Sequence, residues 1–550
     1  MERMRWILLA LAAFLFFQYG LPVLRGDTGT ESSKQPTYAP DDSAPSAEKR
    51  GKEELCKLTG NRFRAVFSSK GGVLKHAWMD GEKYLIEKEG KPQPIDLVTT
   101  TKQSRMPLRT NLRAPGQTKQ QVSYDDFDWK LAARDKESCT FSYSDDNTEL
   151  RKTIRASKRP FELSIALTIK NKSKKELSHR LTIEQTDWRT EEEVAGSMGR
   201  VAEFFTQAEV RTQTETERFD SGDFSPSEFS EPDFTSEKWR RVPEQAVWAA
   251  VNSSYFSKAV FHVKGPSKPA GETRIEQWWW LAKFPDRTKD PNNGHIYRAR
   301  LAYPPHSLKT GARADYEFKA FIGPKERSVL AGFGDGDSKL EAGELLDLGV
   351  FGAIGKLLIR YLYFLFGFTN AWGWAICLLT ITVKLLLFPL SITQIKSTMG
   401  MRKLKPEMDE LNKKYKDDSQ QRALAMQELW RENKVTNPML GCLPVLLQMP
   451  VWFALYTALQ TAVELYHEPF GFFIPDLSAP GLYFIIPAFL GVSSFLQQHL
   501  MPMQGDAMQQ KMMKYMMPAM FTVMMLFLPA GLGIYFLTNT WLGIAQQLGV

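Results

Sequence analysis

Five apolar runs crowd into the last third of this 550-residue chain, at residues 369–391, 438–462, 481–498, 515–528 and 530–548. A bilayer's hydrocarbon core is about 30 Å thick and asks for roughly 20 apolar residues per helical crossing. Four of the runs come close to that length. The 515–528 run would cover only about 21 Å as a helix, a mismatch that local thinning of the bilayer accommodates. A sixth apolar stretch lies within residues 1–25, where WILLALAAFLFFQYGLPVL follows Arg3 and Arg5. No small-x-small cleavage pattern follows it closely, so it is expected to remain as an uncleaved transmembrane anchor. The expected fold class is a polytopic α-helical membrane protein with six transmembrane helices, five of them forming a C-terminal core, plus a large exported all-β domain.

One charge interrupts these runs well inside. Lys384, in TNAWGWAICLLTITVKLLLFPLS, stands where a cation costs about 2.5 to 3.5 kcal/mol at the bilayer centre. It lies about 10 Å from the end of its run at helical rise, so its four-carbon stem could snorkel to the headgroups. The sharper reading is a cation facing a hydrated, protein-lined cavity. Across the five runs there is no Asp, Glu or His in the apolar core, which argues against ion-coupled transport and against an intramembrane hydrolase. The same runs offer scattered hydroxyls and amides, namely Thr380, Thr382, Gln448, Ser493, Ser494 and Asn539. A Met-rich stretch from Met508 to Met525 suits a surface that accepts varied apolar partners.

Between the anchor and the helices the pattern changes period. Residues 26–56 are rich in Ser, Thr, Pro, Asp and Lys and read as a disordered exported tether. From 57 to 340, short alternating runs such as FRAVFSS, FELSIALTIKN and ADYEFKAFIGP predict strands of one β-sandwich domain, with long loops around 212–239. Its His76, Trp188, Trp278 to Trp280 and His295 read as core and rim packing, because no catalytic spacing links them. Residues 345–368 carry Lys356 and Arg360 among aromatic and aliphatic side chains, which suits a helix lying in the membrane interface.

The formal net charge of +8 does not indicate nucleic-acid recognition, since acidic residues such as Asp125, Asp126 and Asp128 interleave with the basic ones. The four cysteines show no metal-ligand spacing, and no cofactor is expected. Cys377 and Cys442 sit in apolar runs as packing residues, while Cys56 and Cys139 could pair if the fold brings them together.

Loop charge orients the whole. The 392–437 loop carries ten Lys and Arg residues, whereas 463–480 has none and holds Glu464, Glu468 and Asp476. The first is expected in the cytoplasm with both termini and the short 499–514 loop, and the second is expected outside with the β domain. Within 392–437, Met401, Leu404, Met408, Leu411 and Tyr415, then Ala423, Met426 and Trp430, step by three and four. That spacing predicts an antiparallel helical hairpin around the turn KDDSQ. Lys403, Lys405, Lys413 and Lys414 would be its exposed docking residues.

Three motifs are more specific: NPMLGCLPVLLQMPVWFALYTAL (437–459), VELYHEPF with IPDLSAP (463–480), and MQQKMMKYMMPAMFTVMMLFLPAGLGIYFLTN (508–539). They resemble the YidC/Oxa family of membrane protein insertases over about residues 351–547. The anchor followed by an exported β domain is similar to the family's Gram-negative arrangement. There the resemblance implies a β-supersandwich that contacts Sec translocon components, and nascent membrane proteins as clients in the inner membrane. It also implies a substrate groove made of Lys384, Thr380, Thr382, Gln448, Met449, Trp452, Ser493, Tyr535, Phe536 and Asn539, with no catalysis. Lys384 stands at the family's groove cation, often Arg, and keeps the charge without bidentate carboxylate recognition. Phe536 stands where some members have a second Tyr. The chain ends at Val550 with no basic tail, which weakens the expectation of a C-terminal ribosome contact. The competing expectation is an anion-selective channel or transporter built on the single Lys.

Overall fold

The computed structural model describes residues 38–40, 52–88, 90–100, 105–113, 129–190, 205–224, 238–277, 294–349, 352–389, 403–415, 418–433, 443–471, 474–479, 485–500, 511–526 and 528–549, with single positions 193, 392 and 400. The expected anchor, most of the tether, Trp278 to Trp280 and Cys442 lie outside the described residues. The chain divides into two units, with the boundary between Leu346 and Asp347.

The first unit is built from β-strands. Those described are β1 (Tyr38–Pro40), β2 (Leu55–Gly60), β3 (Phe63–Ser68), β4 (Val73–Met79), β5 (Leu85–Lys88), β6 (Lys91–Pro94), β7 (Arg109–Arg113), β8 (Lys130–Arg134), β9 (Ser138–Ser144) and β10 (Thr148–Ala156). They continue with β11 (Glu162–Asn171), β12 (Leu177–Thr190), β13 (Gln207–Thr212), β14 (Thr216–Phe219), β15 (Lys238–Asn252), β16 (Phe256–Lys264), β17 (Ala270–Gln277), β18 (Gly294–Ala302), β19 (His306–Leu308) and β20 (Arg313–Pro324). Fifteen join one sheet whose main path is β19-β12-β18-β17-β15-β16-β20-β11-β10-β9-β8, while β2-β3-β4 and β5-β6 form separate small sheets.

Strands such as β10 alternate buried and exposed positions because one face is covered and the other wet. β12 is instead buried along a continuous run from Leu181 to Asp187, and that run contains Glu184 and Asp187. Buried carboxylates survive only when paired. Arg298 reaches Glu184 at 3.0 Å, and Lys258 reaches Asp187 at 2.8 Å. Burial pushes the Glu184 carboxyl up, but Arg298 and Arg109 outweigh it and hold the group below the usual carboxylate range. The 212–239 stretch, expected as loop, contains β14 paired with β13, and β15 already begins at Lys238. Residues 225–237 lie outside the described part.

Cys56 on β2 and Cys139 on β9 form a disulfide across 83 residues of sequence, and both are fully buried. At the end of the sheet His179 on β12 lies opposite His306 on β19, with its Nε2 2.8 Å from the Tyr316 hydroxyl of β20. Burial, with a smaller contribution from His306, lowers the His179 pKa to about 4. The unfolded chain therefore takes up this proton first. Stability from neutral His179 is present above about pH 6.5 and is lost as pH falls toward 4, an effect of about 3 kcal/mol. Thermal unfolding of this unit at pH 7 and pH 4 should show the loss, and His179→Gln should flatten it; an unchanged pH slope in the variant would remove His179 as the cause. A short helix, α1 (Arg327–Gly336), follows β20, and Glu326 before it accepts two bonds from Arg62 and one from Tyr84.

The second unit is helical, with α2 (Gly352–Thr369), α3 (Trp372–Leu386), α4 (Lys405–Lys414), α5 (Ser419–Glu432), α6 (Leu443–Thr461), α7 (Ile485–Leu500), α8 (Met517–Met525) and α9 (Ala530–Gly549). A π-helical turn, Met512–Met516, precedes α8. α4 and α5 pack together, and Asp418 caps the start of α5 by accepting from the Gln420 and Gln421 amides. Leu358, Leu362, Ile376, Leu379, Leu455, Leu490 and Leu532 make a shared core of α2, α3, α6, α7 and α9.

Among the described residues no helix is long and apolar enough to cross a membrane by itself. This differs from the expected uninterrupted spans: α3 stops at Leu386 after 15 residues, about 22 Å, where 369–391 was expected to continue, and α8 has only nine residues. The helices nevertheless expose Trp374, Leu378, Leu385, Leu386, Phe489, Val492, Phe495, Met516, Met520 and Trp541. So much exposed apolar surface marks a contact face and not a water-facing one.

Candidate functional site

α3 carries Lys384, the only Lys or Arg in α3, α6, α7, α8 and α9. Residues 376, 380 and 384 share a face, because side chains four apart stack on a helix. That face meets α9: Ile376 lies 3.4 Å from where a Gly531 Cβ would stand, and the Lys384 ammonium lies 4.0 Å from the corresponding point at Gly543. Gln497 of α7 points its amide end at the same Gly543 position, so the absence of a side chain there makes room for both polar groups. Lys384 is half-buried, and among the described residues no carboxylate pairs with it.

The remaining predicted residues separate into distinct places. Thr380 is 1% exposed and donates to the Ile376 carbonyl at 2.8 Å, while Ser493 donates to the Phe489 carbonyl at 2.6 Å. Both hydroxyls thus satisfy their own helices and leave only a small polar surface on the Lys384 side. Ser493 and Gln497, four apart on α7, share a helix face, as do Thr380 and Lys384 on α3. Thr382 lies on the other side of α3, where it shares a 3.0 Å bond with Tyr361 of α2.

Trp452 of α6 packs on Phe536 of α9 with ring centroids 5.9 Å apart, and Phe536 touches Phe521 of α8 and the buried Tyr535. The Trp452 indole nitrogen is buried without a hydrogen-bond partner among the described residues. Met449 and Asn539 are half-buried, and the Gln448 side chain lies outside the described part. Lys384 and Gln497 thus converge on Gly543, while Trp452, Tyr535 and Phe536 form a separate aromatic cluster. In the hairpin, Lys403, Lys413 and Lys414 are exposed, and Lys414 stands 5.4 Å from the Tyr415 ring; the Lys405 side chain is not described.

The sequence reading missed Gln497 and Gly543. A signal for Gln497 existed, since a second polar group four residues after Ser493 extends one stripe of an otherwise apolar helix. Nothing local distinguishes Gly543 from the other glycines of α9. Its role can be tested by a graded series. Gly543→Ala needs only the flexible end of Gln497 to move, whereas Gly543→Leu must displace both Gln497 and Lys384, an overpacking of about 1 to 3 kcal/mol. Activity should fall in that order, and a Leu variant as active as wild type would show that this junction is not used.

Comparison with known proteins agrees with this architecture. Residues 364–550 match the family described as 60Kd inner membrane protein, and residues 56–361 match the YidC periplasmic domain. The chain is 34% identical over 500 residues to membrane protein insertase YidC of Anaeromyxobacter sp. (strain K), covering 90% of this chain and 84% of that protein. It is 31% identical over 488 residues to the YidC insertase of Citrifermentans bemidjiense, with coverages of 88% and 83%. A crystal structure of an active YidC insertase aligns over 99% of both chains at 18% identity, with a TM-score of 0.36. The chain belongs to the YidC family, the non-enzymatic inner-membrane insertases that act on membrane proteins and carry a periplasmic β domain.

Proposed function

We propose that this insertase works through a hydrated groove with Lys384 at its polar end, set among six transmembrane helices, in a chain that also carries an exported β-supersandwich. A nascent chain's apolar segment slides past α6 and along the exposed face of α8, with Met517, Met520 and Val523, while its short acidic or polar flank enters the groove, is held transiently by Lys384 and is released outward. Burial of an apolar segment of about 20 residues supplies the driving force, so no nucleotide is needed at this protein. The observation that carries this reading is the junction of Lys384, Gln497 and Gly543, a lone cation among uncharged polar groups inside an apolar bundle.

Packing register supports the membrane topology. Ile376 meets Gly531 and Lys384 meets Gly543, and Ile486 meets Gly533 while Gln497 meets Gly543, so α3, α7 and α9 run parallel. α8 runs against α7, since Thr522 meets Gly491 and Tyr515 meets Phe495. Parallel α3, α7 and α9 are what five crossings in alternating direction require. The short helices fit a bilayer locally thinned around the groove, which lowers the barrier for a polar flank. The termini would then face the cytoplasm. We further infer, from the resemblance, that Sec components meet the β domain and that the α4–α5 hairpin, with Lys403, Lys405, Lys413 and Lys414, docks cytoplasmic partners such as a translating ribosome.

The test is insertion of a single-span protein with an acidic outer tail into proteoliposomes holding the full chain, scored by protease protection. Protected tail is expected. Anion flux without any client, and no protected tail, would favour a channel instead.

A further inference from the structure

We propose that the exposed face of β10 and its neighbours is a docking surface for an extended acidic segment of another polypeptide, one with carboxylates four residues apart. β10 buries Leu150, Lys152 and Ile154 on one side and turns Glu149, Arg151, Thr153 and Arg155 to the other. Alternate residues of a strand face one way, so Arg151 and Arg155 stand about 13 Å apart along it with Thr153 between them. The register sets short side chains beside each. Arg151 lies opposite Ser142 of β9 and Thr168 of β11, Thr153 opposite Thr140 and Ala166, and Arg155 opposite Ser138 and Ser164. The result is a strip of small, mostly hydroxyl-bearing residues held between two exposed guanidinium groups.

The carboxylates nearby are engaged elsewhere. Glu149 pairs with Lys170 at 3.8 Å, and Asp315 pairs with Arg313 at 3.2 Å while accepting from Thr168 at 2.8 Å. Asp135 accepts from the Ser138 hydroxyl and the Glu137 amide; the Ser138 bond is the main cause holding its carboxyl below the usual range, and Arg155 is the smallest. Among the described residues neither Arg151 nor Arg155 makes an ion pair. An anionic membrane would need apolar side chains beside these cations to enter the lipid, and none of the large exposed apolar residues of the described chain lies on β8, β9, β10, β11 or β20. An extended polypeptide fits the spacing, because its side chains alternate with the same rise. Carboxylates four apart then point one way and meet both arginines, and the residue between them meets Thr153.

The test is fluorescence anisotropy with the full chain in phosphatidylcholine nanodiscs. Two labelled peptides of about ten residues, rich in Thr and Ser, are compared: one has two Glu four positions apart, and its isomer has them three apart, on opposite sides of an extended chain. The first should bind about fivefold tighter, since the isomer engages only one arginine at a time. Arg151→Gln with Arg155→Gln should weaken its binding by about 25-fold, and Arg151→Lys with Arg155→Lys should keep the preference between isomers. Both side chains are exposed, and circular dichroism checks that the variants fold. Equal binding of the isomers, binding unchanged in the Gln variant, a preference lost in the Lys variant, or no peptide binding overturns the docking surface. Arginine-dependent capture of phosphatidylglycerol vesicles without peptide binding overturns it in favour of a membrane contact.

Discussion

Proteoliposomes carrying Lys384→Glu should insert an acid-tailed single-span client at least about tenfold less than wild type, while Lys384→Arg should retain most activity. The size follows from exchanging attraction for repulsion at one point. Two unit charges at 4 Å interact by about 1 kcal/mol in water and about 4 kcal/mol near a protein surface, and 1.4 kcal/mol is already tenfold. With no described carboxylate paired to Lys384, reversing its sign breaks no ion pair seen among the described residues, so a loss of insertion would report on the client's flank. A client with a neutral tail supplies the control, because its insertion should fall much less. Equal insertion of the acidic client by wild type and Lys384→Glu would leave Lys384 as a snorkelling side chain without a part in selection.

The second large effect is expected outside the membrane. Cys56→Ala with Cys139→Ala opens a loop of 83 residues, and loop-closure entropy alone assigns such a crosslink about 4.5 kcal/mol. For a unit of this size that corresponds to a melting temperature lower by about 7 °C. Calorimetry of the full chain, with and without the substitutions, measures the shift. A difference within about 2 °C would mean that the packing of β2 against β9 holds the register without the bond. Because both cysteines are fully buried, a Val pair tests whether lost volume contributes. Insertion activity need not follow stability here, which separates the roles of the two units.

Much of the architecture is legible because it depends on periodicity. Alternation in FELSIALTIKN and ADYEFKAFIGP marks β11 and β20, which pair antiparallel from Glu162 opposite Phe321 to Lys170 opposite Arg313. Helical spacing of apolar residues in 401–430 marks α4 and α5, and the family motifs lead to the insertase function that the comparisons support. Other features fail for a shared reason. β14 is four half-buried residues in a polar stretch, so its strand character comes from its pairing with β13 and not from its own pattern. The buried Glu184 and Asp187 break the alternation of β12, and their partners Arg298 and Lys258 lie far along the chain. No local pattern announces such pairs.

The sequence by itself determined the two unlike halves of this protein, the family, and the presence of one cation in an apolar helical region, since all of these follow from composition, period and motif. Only the tertiary structure decided that Cys56 meets Cys139, that Thr382 faces Tyr361 while Lys384 faces α9, and that Gln497 and Gly543 build the place where the ammonium sits. The reason is physical. A helix face can be read from spacing along one chain segment, but which faces meet depends on the packing of several segments at once, and a glycine acquires its meaning from the side chains that occupy the space it leaves.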